Sequence, residues 1–502
     1  MGQNAIVLWR KAFLWYDRNM ILTTACGKIS GFEKDGCAVF LGVPYAKAGR
    51  FEYARMVTNW SDGADFVLDA TKMGKACPQM RTFHEHLEIA ERTFYHREFR
   101  EGISFEYDED CLNLNIWVPA EALDGTEGTA GVQSGTEADG TAGSPGHAEA
   151  EVQVGASGVK KYPVMIFIHG GGFDSGANSE SPFDGTVYAK RGIVCVFINY
   201  RVGILGYLTH PEIQKRFGRN GNFGLDDQLT ALKWVRKNIG DFGGDVENIT
   251  ISGQSAGAIS VQYMCLNHAN EGLFKNAFMI SGGGKFPDFA LPRPAGQTQA
   301  YWQDFMKAAG ICGTDVENAE SFDVLKNMPL QQIFDTMDKF KSTRKDNTYN
   351  TMPVIDGVLI PEPIQTLIKN PLKINYLLGY TNCDLYAPLM ALIGHKFARK
   401  NGGYVYFFDV DAPGDGKKAF HSSDLRYIFG TLDRSWRPYD DKDRQIAAVM
   451  QNFIAEFVRT GNMNCERGGK RALHFTSKGK IRMIRPRYLR LVYNMLFGGK
   501  QI

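Results

Sequence analysis

Across its 502 residues the sequence lacks any run of the ~18 uninterrupted apolar residues that a membrane-spanning helix needs. A secretory signal is missing too. The apolar opening, Met1 to Ile21, is broken by Arg10, Lys11, Asp17 and Arg18 and has no small-residue cleavage site. Met1-Gly2 opens like a myristoylation site, but Ile6 stands where Ser or Thr is wanted. The nine cysteines are scattered, odd in number and without a C-x-x-C pair, so they offer no zinc site and no obligatory disulfide framework. No Gly-Lys-Ser/Thr phosphate loop and no nucleic-acid motif occurs. The setting expected from these absences is cytoplasmic, without metal, nucleic acid or membrane span.

Two stretches each lack one sign of charge. Residues 121–159 carry seven acidic residues, no Lys or Arg, and no Phe, Tyr or Trp. Rich in Gly, Thr, Ala and Ser, this stretch cannot bury enough apolar surface to offset its ordering entropy. A disordered acidic insertion is expected over 120–159. It sits between two strand-like runs, Leu112–Val118 and Val164–Ile168, so it interrupts a domain and does not join two. Residues 467–502 carry ten basic residues and no acidic one. Ile481, Met483, Leu489, Leu491 and Val492 alternate with arginines there. The reading is a packed terminal segment with snorkelling arginines, the alternative a patch for an acidic partner.

What is present is an ordinary globular composition, 44% hydrophobic and 22% charged. A chain of this length buries roughly three quarters of its unfolded surface. A single domain over 1–502 is expected. Ala25–Phe32 and Cys37–Gly42 read as a hairpin around Lys34-Asp35-Gly36. Val164–Ile168, Gly192–Asn199, Ile249–Ser252, Ala277–Ser281, Ile374–Tyr380 and Tyr404–Val410 read as buried strands. Leu225–Ile239, the segment from Ala256, and Asp443–Arg459 read as helices. Residues 298–345 read as helices able to form a cap. Apolar strands alternating with helices imply βαβ units and a mostly parallel, twisted sheet: an α/β fold.

Thr250-Ile251-Ser252 leads into Gly253-Gln254-Ser255-Ala256-Gly257 and then a helical run. This is strand, G-x-S-x-G, helix. The turn is so tight that flanking side chains would clash, so both flanks are Gly, and the Ser hydroxyl projects above the sheet edge. The following helix aims its N-terminal amides at developing negative charge. A bare G-x-S-x-G is also a common glycine-rich turn. Upstream, Val164–Ile168 ends in His169-Gly170-Gly171-Gly172-Phe173. Three glycines after a buried strand let bare amides face a ligand, and Gly171, Gly172 and Ala256 are the expected oxyanion donors. His169 is read as a structural, hydrogen-bonded histidine.

A hydrolase of this architecture places its acid and then its His after Ser255, each past a strand. His268 is too near the nucleophile helix. His395 follows no convincing strand, and His474 sits in a strand-like tail. His421 follows the strand Tyr404–Val410 and a loop. Asp384 lies just past Ile374–Tyr380, with Asp356 and Glu362 as competitors. A buried carboxylate there would fix the imidazole's tautomer and stabilise its cation.

The run Phe242-Gly243-Gly244-Asp245-Val246-Glu247-Asn248-Ile249-Thr250-Ile251-Ser252-Gly253-Gln254-Ser255-Ala256-Gly257 resembles the serine signature of the type-B carboxylesterase family. This family is the cholinesterase-like branch of the α/β-hydrolase fold, and the chain is most similar to its bacterial members. Glu109-Asp110-Cys111-Leu112-Asn113-Leu114-Asn115-Ile116-Trp117 resembles the family's other signature. Phe420-His421-Ser422-Ser423-Asp424 resembles its histidine block, which singles out His421. Gly42–Ala46, Asn199-Tyr200-Arg201 and Gly221–Gly224 with Asp227-Gln228 extend the likeness. It runs from about Cys26 to about Asn464. The resemblance implies a central, mostly parallel sheet flanked by helices, with helical cap insertions. It also implies an ion pair of Arg50 with Glu109, and a serine, Ser281, hydrogen-bonded near the triad. Cys77 and Cys111 match a disulfide of secreted members and are expected to stay thiols in a reducing compartment.

The family's acid is usually Glu followed by Gly, whereas here the chain reads Cys383-Asp384-Leu385. Asp is one methylene shorter, so its loop must sit closer to His421 or the acid lies elsewhere. The segment Ala46–Phe51 is shorter than the family's proline-containing stretch. The loop from Cys77 to Cys111 has no tryptophan to bind quaternary ammonium. Its Phe83, Phe94, Tyr95, Phe99, Phe105 and Tyr107 read as packing, so acetylcholine is not expected.

The function these readings imply is a serine carboxylesterase for small ester substrates, short- to medium-chain or aromatic, with no metal or organic cofactor. A feruloyl-type esterase is the alternative within that class. A catalytically silent scaffold is the alternative outside it, opposed by Ser255 between its intact glycines.

Overall fold

The computed structural model describes residues 18–60, 63, 65–80, 90–123, 160–283, 291–311, 318–344, 351–384, 387–463, 465, 467 and 471–484. Most of the acidic stretch (124–159), the end of the basic tail (485–502) and Phe83 lie outside the described residues. The strands in chain order are β1 (Arg18–Thr24), β2 (Gly27–Lys34), β3 (Cys37–Pro44), β4 (Ala46–Lys47), β5 (Arg55–Met56), β6 (Val67–Asp69), β7 (Asn113–Pro119), β8 (Tyr162–Ile168), β9 (Val194–Ile198), β10 (Gly244–Gln254), β11 (Asn276–Ile280), β12 (Arg293–Pro294), β13 (Val354–Ile355), β14 (Asn375–Thr381), β15 (Tyr404–Asp409), β16 (Ala472–Thr476) and β17 (Ile481–Ile484).

Thirteen of them form one sheet in the order β1-β2-β3-β7-β9-β8-β10-β11-β14-β15-β16-β17, with β6 beside β2. From β9 through β16 every neighbouring pair is parallel. β1, β2, β3, β7 and β9 pair antiparallel in turn, β6 alone lies parallel to β2, and β17 is antiparallel to β16. The sheet is thus parallel in its middle and antiparallel at both margins.

The middle strands are buried on two faces. Val164, Ile166 and Ile168 of β8 enter one hydrophobic core, while Met165 and Phe167 enter another. β9 divides the same way, with Val194, Val196 and Ile198 against Cys195 and Phe197. Parallel strands covered on both faces by crossover helices read as near-continuous apolar runs, whereas β7, also buried throughout, carries Asn113 and Asn115 and pairs antiparallel with β3 and β9. Each fully buried aliphatic or aromatic side chain contributes about 1.5–3 kcal/mol. The first core is covered by the helices Phe223–Asn238 and Ala256–Leu266, the second by Asp441–Thr460.

The hairpin turn is Asp35-Gly36, both at positive φ (54° and 74°), the turn a right-twisted two-residue hairpin demands. Residues 298–345 hold the helices Ala295–Ala308, Ala319–Asn327 and Leu330–Thr343. The described part of the basic tail forms β16, paired between β15 and β17, and the edge strand β17. Residues 120–122 form a 3-10 turn with Ala122 buried, so the disorder expected from residue 120 does not reach them.

Candidate active site

Ser255 sits between the end of β10 and the helix Ala256–Leu266, with φ 55° and ψ −120°. An L-residue holds that conformation only when its surroundings enforce it. Here the Ser255 amide donates to the Ile280 carbonyl at 2.9 Å, and the Ser255 carbonyl accepts from Ile259 N–H at 3.0 Å. A Cβ on Gly257 would fall on the carbonyl oxygen of Ile168, and one on Gly253 would meet the backbone of Gly257. Both glycines of the motif are therefore dictated by close approach to neighbouring backbone.

That approach brings the glycine loop after β8 against the elbow. A Cβ on Gly170 would lie 3.0 Å from the Cβ of Ser255. Gly171 and Gly172 have φ of 107° and 66°, and Phe173 follows at 63°. The Gly171 carbonyl turns away, accepting from the amides of Asp174 and Ser175 at 3.1 Å each. The amides of Gly171, Gly172 and Ala256 make no turn or loop hydrogen bond among the described residues. The far end of the loop is held by Gln79, which accepts from Gly176 N–H at 3.0 Å and donates to its carbonyl at 3.1 Å. His169 is buried and stacked on Tyr200 at 4.3 Å, and burial pushes its imidazole down to about 4. It stays neutral at ordinary pH. Phe173, Tyr207 and Ala256 form a small apolar cluster, with partly exposed Ile259 and Met352 packed against it.

The loops past β14 and β15 meet. His421 Nδ1 bonds Asp384 Oδ1, with the two side chains 12% and 2% exposed. The shorter side chain is accommodated because the loops touch. Cys383 and Phe420 form a parallel bridge, and the Cys383 amide donates to the Ala419 carbonyl at 2.9 Å. Asp356 instead accepts from the amides of Val358, Leu359 and Ile360 in its own turn. His395 lies in the helix Ala387–Asn401, His474 on β16 near Asp409, and His268 by Asn370. Burial alone would push His421 down, but the Asp384 carboxylate, helped by Asp424, holds it above its ordinary value.

Two residues at this site carry no mark in the motif reading. Gln254, 4% exposed, places its carboxamide nitrogen 3.1 Å from His421 Nε2. No bond between Ser255 Oγ and His421 occurs among the hydrogen bonds of the described residues. Asp424, fully buried, accepts from Tyr406 OH at 2.7 Å. Burial raises its carboxyl to about 7, opposed by the Tyr406 bond and reinforced by the Asp384 charge. Tyr406 fits because Gly379 on the neighbouring strand has no Cβ to strike its ring. Both residues lie within the serine and histidine motifs, and the sequence carries no sign of their partners.

Arg50 pairs with Glu109 through two bonds of 2.8 and 2.5 Å and reaches the Lys326 carbonyl at 3.0 Å. Ser281 is buried at φ 50°, and its hydroxyl has no hydrogen-bond partner among the described residues. Arg201 and Asp227 form a bidentate pair of 2.8 and 2.7 Å, 4% and 0% exposed. Arg201 also donates to the Glu52 carbonyl at 2.7 Å. Cys77 and Cys111 are buried free thiols, and Cys111 is raised well above its ordinary value by its bond with Cys77 and by burial. Among the described residues no group of three potential metal ligands occurs, and no helix is long and apolar enough to cross a membrane.

A model of the carboxylesterase family matches residues 18–391, a span that holds Ser255 and Asp384 and ends before His421. Para-nitrobenzyl esterase of Bacillus subtilis (strain 168) is 27% identical, across 89% of this chain and 91% of its own. Neuroligin-2 of Homo sapiens is 31% identical across 72% of this chain, which spans 40% of the neuroligin's length. A solved PNB esterase superposes with a TM-score of 0.71 over 94% of this chain and 99% of its own, at 24% identity. A thermophilic PNB esterase gives 0.70 over 93% and 98%, at 24% identity.

Proposed function

The chain belongs to the carboxylesterase family and is a carboxylic ester hydrolase with the α/β-hydrolase fold, and we propose that it works through an acyl-enzyme on Ser255. Ser255 Oγ attacks the ester carbonyl while His421 Nε2 takes its proton. Asp384 holds Nδ1 and stabilises the imidazolium. The amides of Gly171, Gly172 and Ala256 receive the oxyanion. The tetrahedral species collapses, and His421 gives its proton to the leaving alcohol. His421 then draws a proton from water, which attacks the acyl carbon, and returns it to Ser255 Oγ as the acyl–oxygen bond breaks and the acid leaves. The scheme draws on no metal or organic cofactor.

The observation that carries this reading is the His421–Asp384 pair at the same sheet edge as the left-handed Ser255 elbow and its glycine loop. Asp, one methylene short of the family's usual Glu, still reaches the imidazole. The intact set speaks against a silent scaffold. The apolar cluster of Phe173, Tyr207, Ile259 and Met352 beside the oxyanion amides supports small apolar or aromatic ester groups. The para-nitrobenzyl esterase relative points the same way. A reducing, cytoplasmic setting suits Cys77 and Cys111 as thiols.

The test is initial rates on p-nitrophenyl esters, acetate to decanoate, and on methyl ferulate, with Ser255→Ala as control. Short-chain turnover lost in the folded mutant supports the scheme. A preference for methyl ferulate moves the substrate to plant aromatic esters. Turnover that survives in Ser255→Ala overturns the nucleophile.

A further inference from the structure

We propose that Arg437 is a positioning residue for the His421–Asp384 pair, acting through Phe420, a role that rests on the triad reading above. The guanidinium side chain is fully buried, with 0% exposure. It divides its donors between two parts of the chain. Nε donates to Glu98 Oε1 at 2.9 Å, on the helix Ala90–Phe99. Nη1 and Nη2 hold the two oxygens of Asp415 at 2.7 and 3.0 Å, and Nη1 also donates to the Pro413 carbonyl at 2.8 Å. Asp415 and Pro413 belong to the loop that runs from β15 to His421.

The same guanidinium lies over Phe420, 5.2 Å from the ring centroid, and 5.9 Å from that of Phe94. These two rings meet edge to face at 5.0 Å. Phe420 is covalently next to His421 and bridged to Cys383, which is next to Asp384. Arg437 therefore grips, through one aromatic ring, the residue that joins the base loop to the acid loop.

The loop needs such a grip. Between Asp409 and His421 no helix or strand forms, and Gly414 and Gly416 both take positive φ. Loose backbone of this kind does not by itself hold an imidazole to the ~0.5 Å that catalysis demands. A planar fork can bond Glu98, Asp415 and Pro413 while lying over Phe420, whereas an ammonium is a point charge. The buried cation is also balanced by Glu98 and the partly exposed Asp415, so it is stable where it stands.

The test compares wild type, Arg437→Lys and Phe420→Leu, each titrated with a fluorophosphonate so that rates are per competent Ser255. In both variants kcat is expected to fall about 10- to 100-fold, with KM within about twofold. The acid limb of kcat/KM should move to lower pH, because a loosened Asp384 no longer raises His421. The downfield NMR signal of the His421 Nδ1 proton should weaken or shift. A purely structural role would lower the titrated fraction and leave the rate per site and the acid limb unchanged, and that result overturns the proposal. Should Arg437→Lys fail to fold, Phe420→Leu, which keeps every ion pair, decides alone. A wild type that neither labels nor turns over esters would overturn the triad reading itself, a result distinct from failure of the variants.

Discussion

The nitrogen of His421 that faces away from Asp384 lies 3.1 Å from the side-chain nitrogen of Gln254. In the proposed scheme this is the nitrogen that must receive the proton of Ser255. A carboxamide N–H given to Nε2 favours the neutral imidazole, the form a base requires, and must yield the lone pair to Ser255 when substrate binds. Active-site hydrogen bonds of this kind often tighten only in the substrate complex.

Replacing that neutral neighbour with an anion has a signed consequence. Gln254→Glu places a carboxylate within reach of His421 Nε2 and stabilises the imidazolium. The acid limb of kcat/KM is expected to move up by about one pH unit, a ~1.4 kcal/mol effect. A pH–rate series on p-nitrophenyl acetate measures it, and an unmoved limb would show that Gln254 does not touch the base in solution.

Asp384→Asn removes the charge that raises His421 and offers a hydrogen bond of the wrong polarity. The expected loss in kcat is about 10⁴-fold, as for the equivalent change in serine protease triads. What activity is left should show its acid limb at lower pH, because burial is then opposed only by the weaker pull of Asp424. Retention of more than a tenth of wild-type kcat would return the assignment to another carboxylate.

Asp424 carries a proton in the fold up to about pH 7, far above the ordinary range of a free carboxyl. Folded protein therefore binds more protons than unfolded protein between about pH 4 and 7. The stability it gives is complete below about pH 4 and lost as pH rises through 7. Asp424→Asn keeps an acceptor for Tyr406 and carries no charge. It should raise Tm at pH 8 relative to wild type, through a gain in stability of at most about 4 kcal/mol, and change little at pH 4. Equal shifts at both pH values would rule out ionisation as the cause.

Arg201→Met leaves Asp227 fully buried without its cation. Breaking such a pair from one side costs about 3–5 kcal/mol. The urea midpoint should fall accordingly, and the double variant Arg201→Met/Asp227→Leu should recover part of the loss.

The parts of the site that close backbone contact dictates were legible before any coordinates. Gly253, Gly257 and Gly171 stand where a Cβ would strike a carbonyl, and that constraint is written in glycine. The middle strands were legible because both faces are buried and the residues are apolar throughout. β1 was not, since Arg18–Thr24 is an edge strand with exposed positions. The first half of β10 was hidden by Asp245 and Glu247 ahead of a register shift. Gln254, Asp424 and Arg437 were invisible as actors for a different reason. Gln254 meets His421 across 167 residues and Arg437 meets Glu98 across 339, while the Tyr406 partner of Asp424 stands 18 residues back on β15. Local patterns carry no record of such meetings.

Gly243 has a consequence for the acidic stretch. Its carbonyl accepts from Tyr162 N–H at 2.9 Å, and its Cα faces Ala122 so closely that a Cβ would come within 2.8 Å of the alanine methyl. The chain thus departs after Leu123 and returns before Tyr162 at one doorway. That doorway opens at the starting end of β8, a strand's length, about 23 Å, from the edge that bears Ser255. For a loop whose ends are pinned together, each doubling in length costs only about 0.6 kcal/mol. Ends held this close together make the doorway a natural port for grafting a tag or a second domain, and p-nitrophenyl ester turnover is expected to survive such a graft.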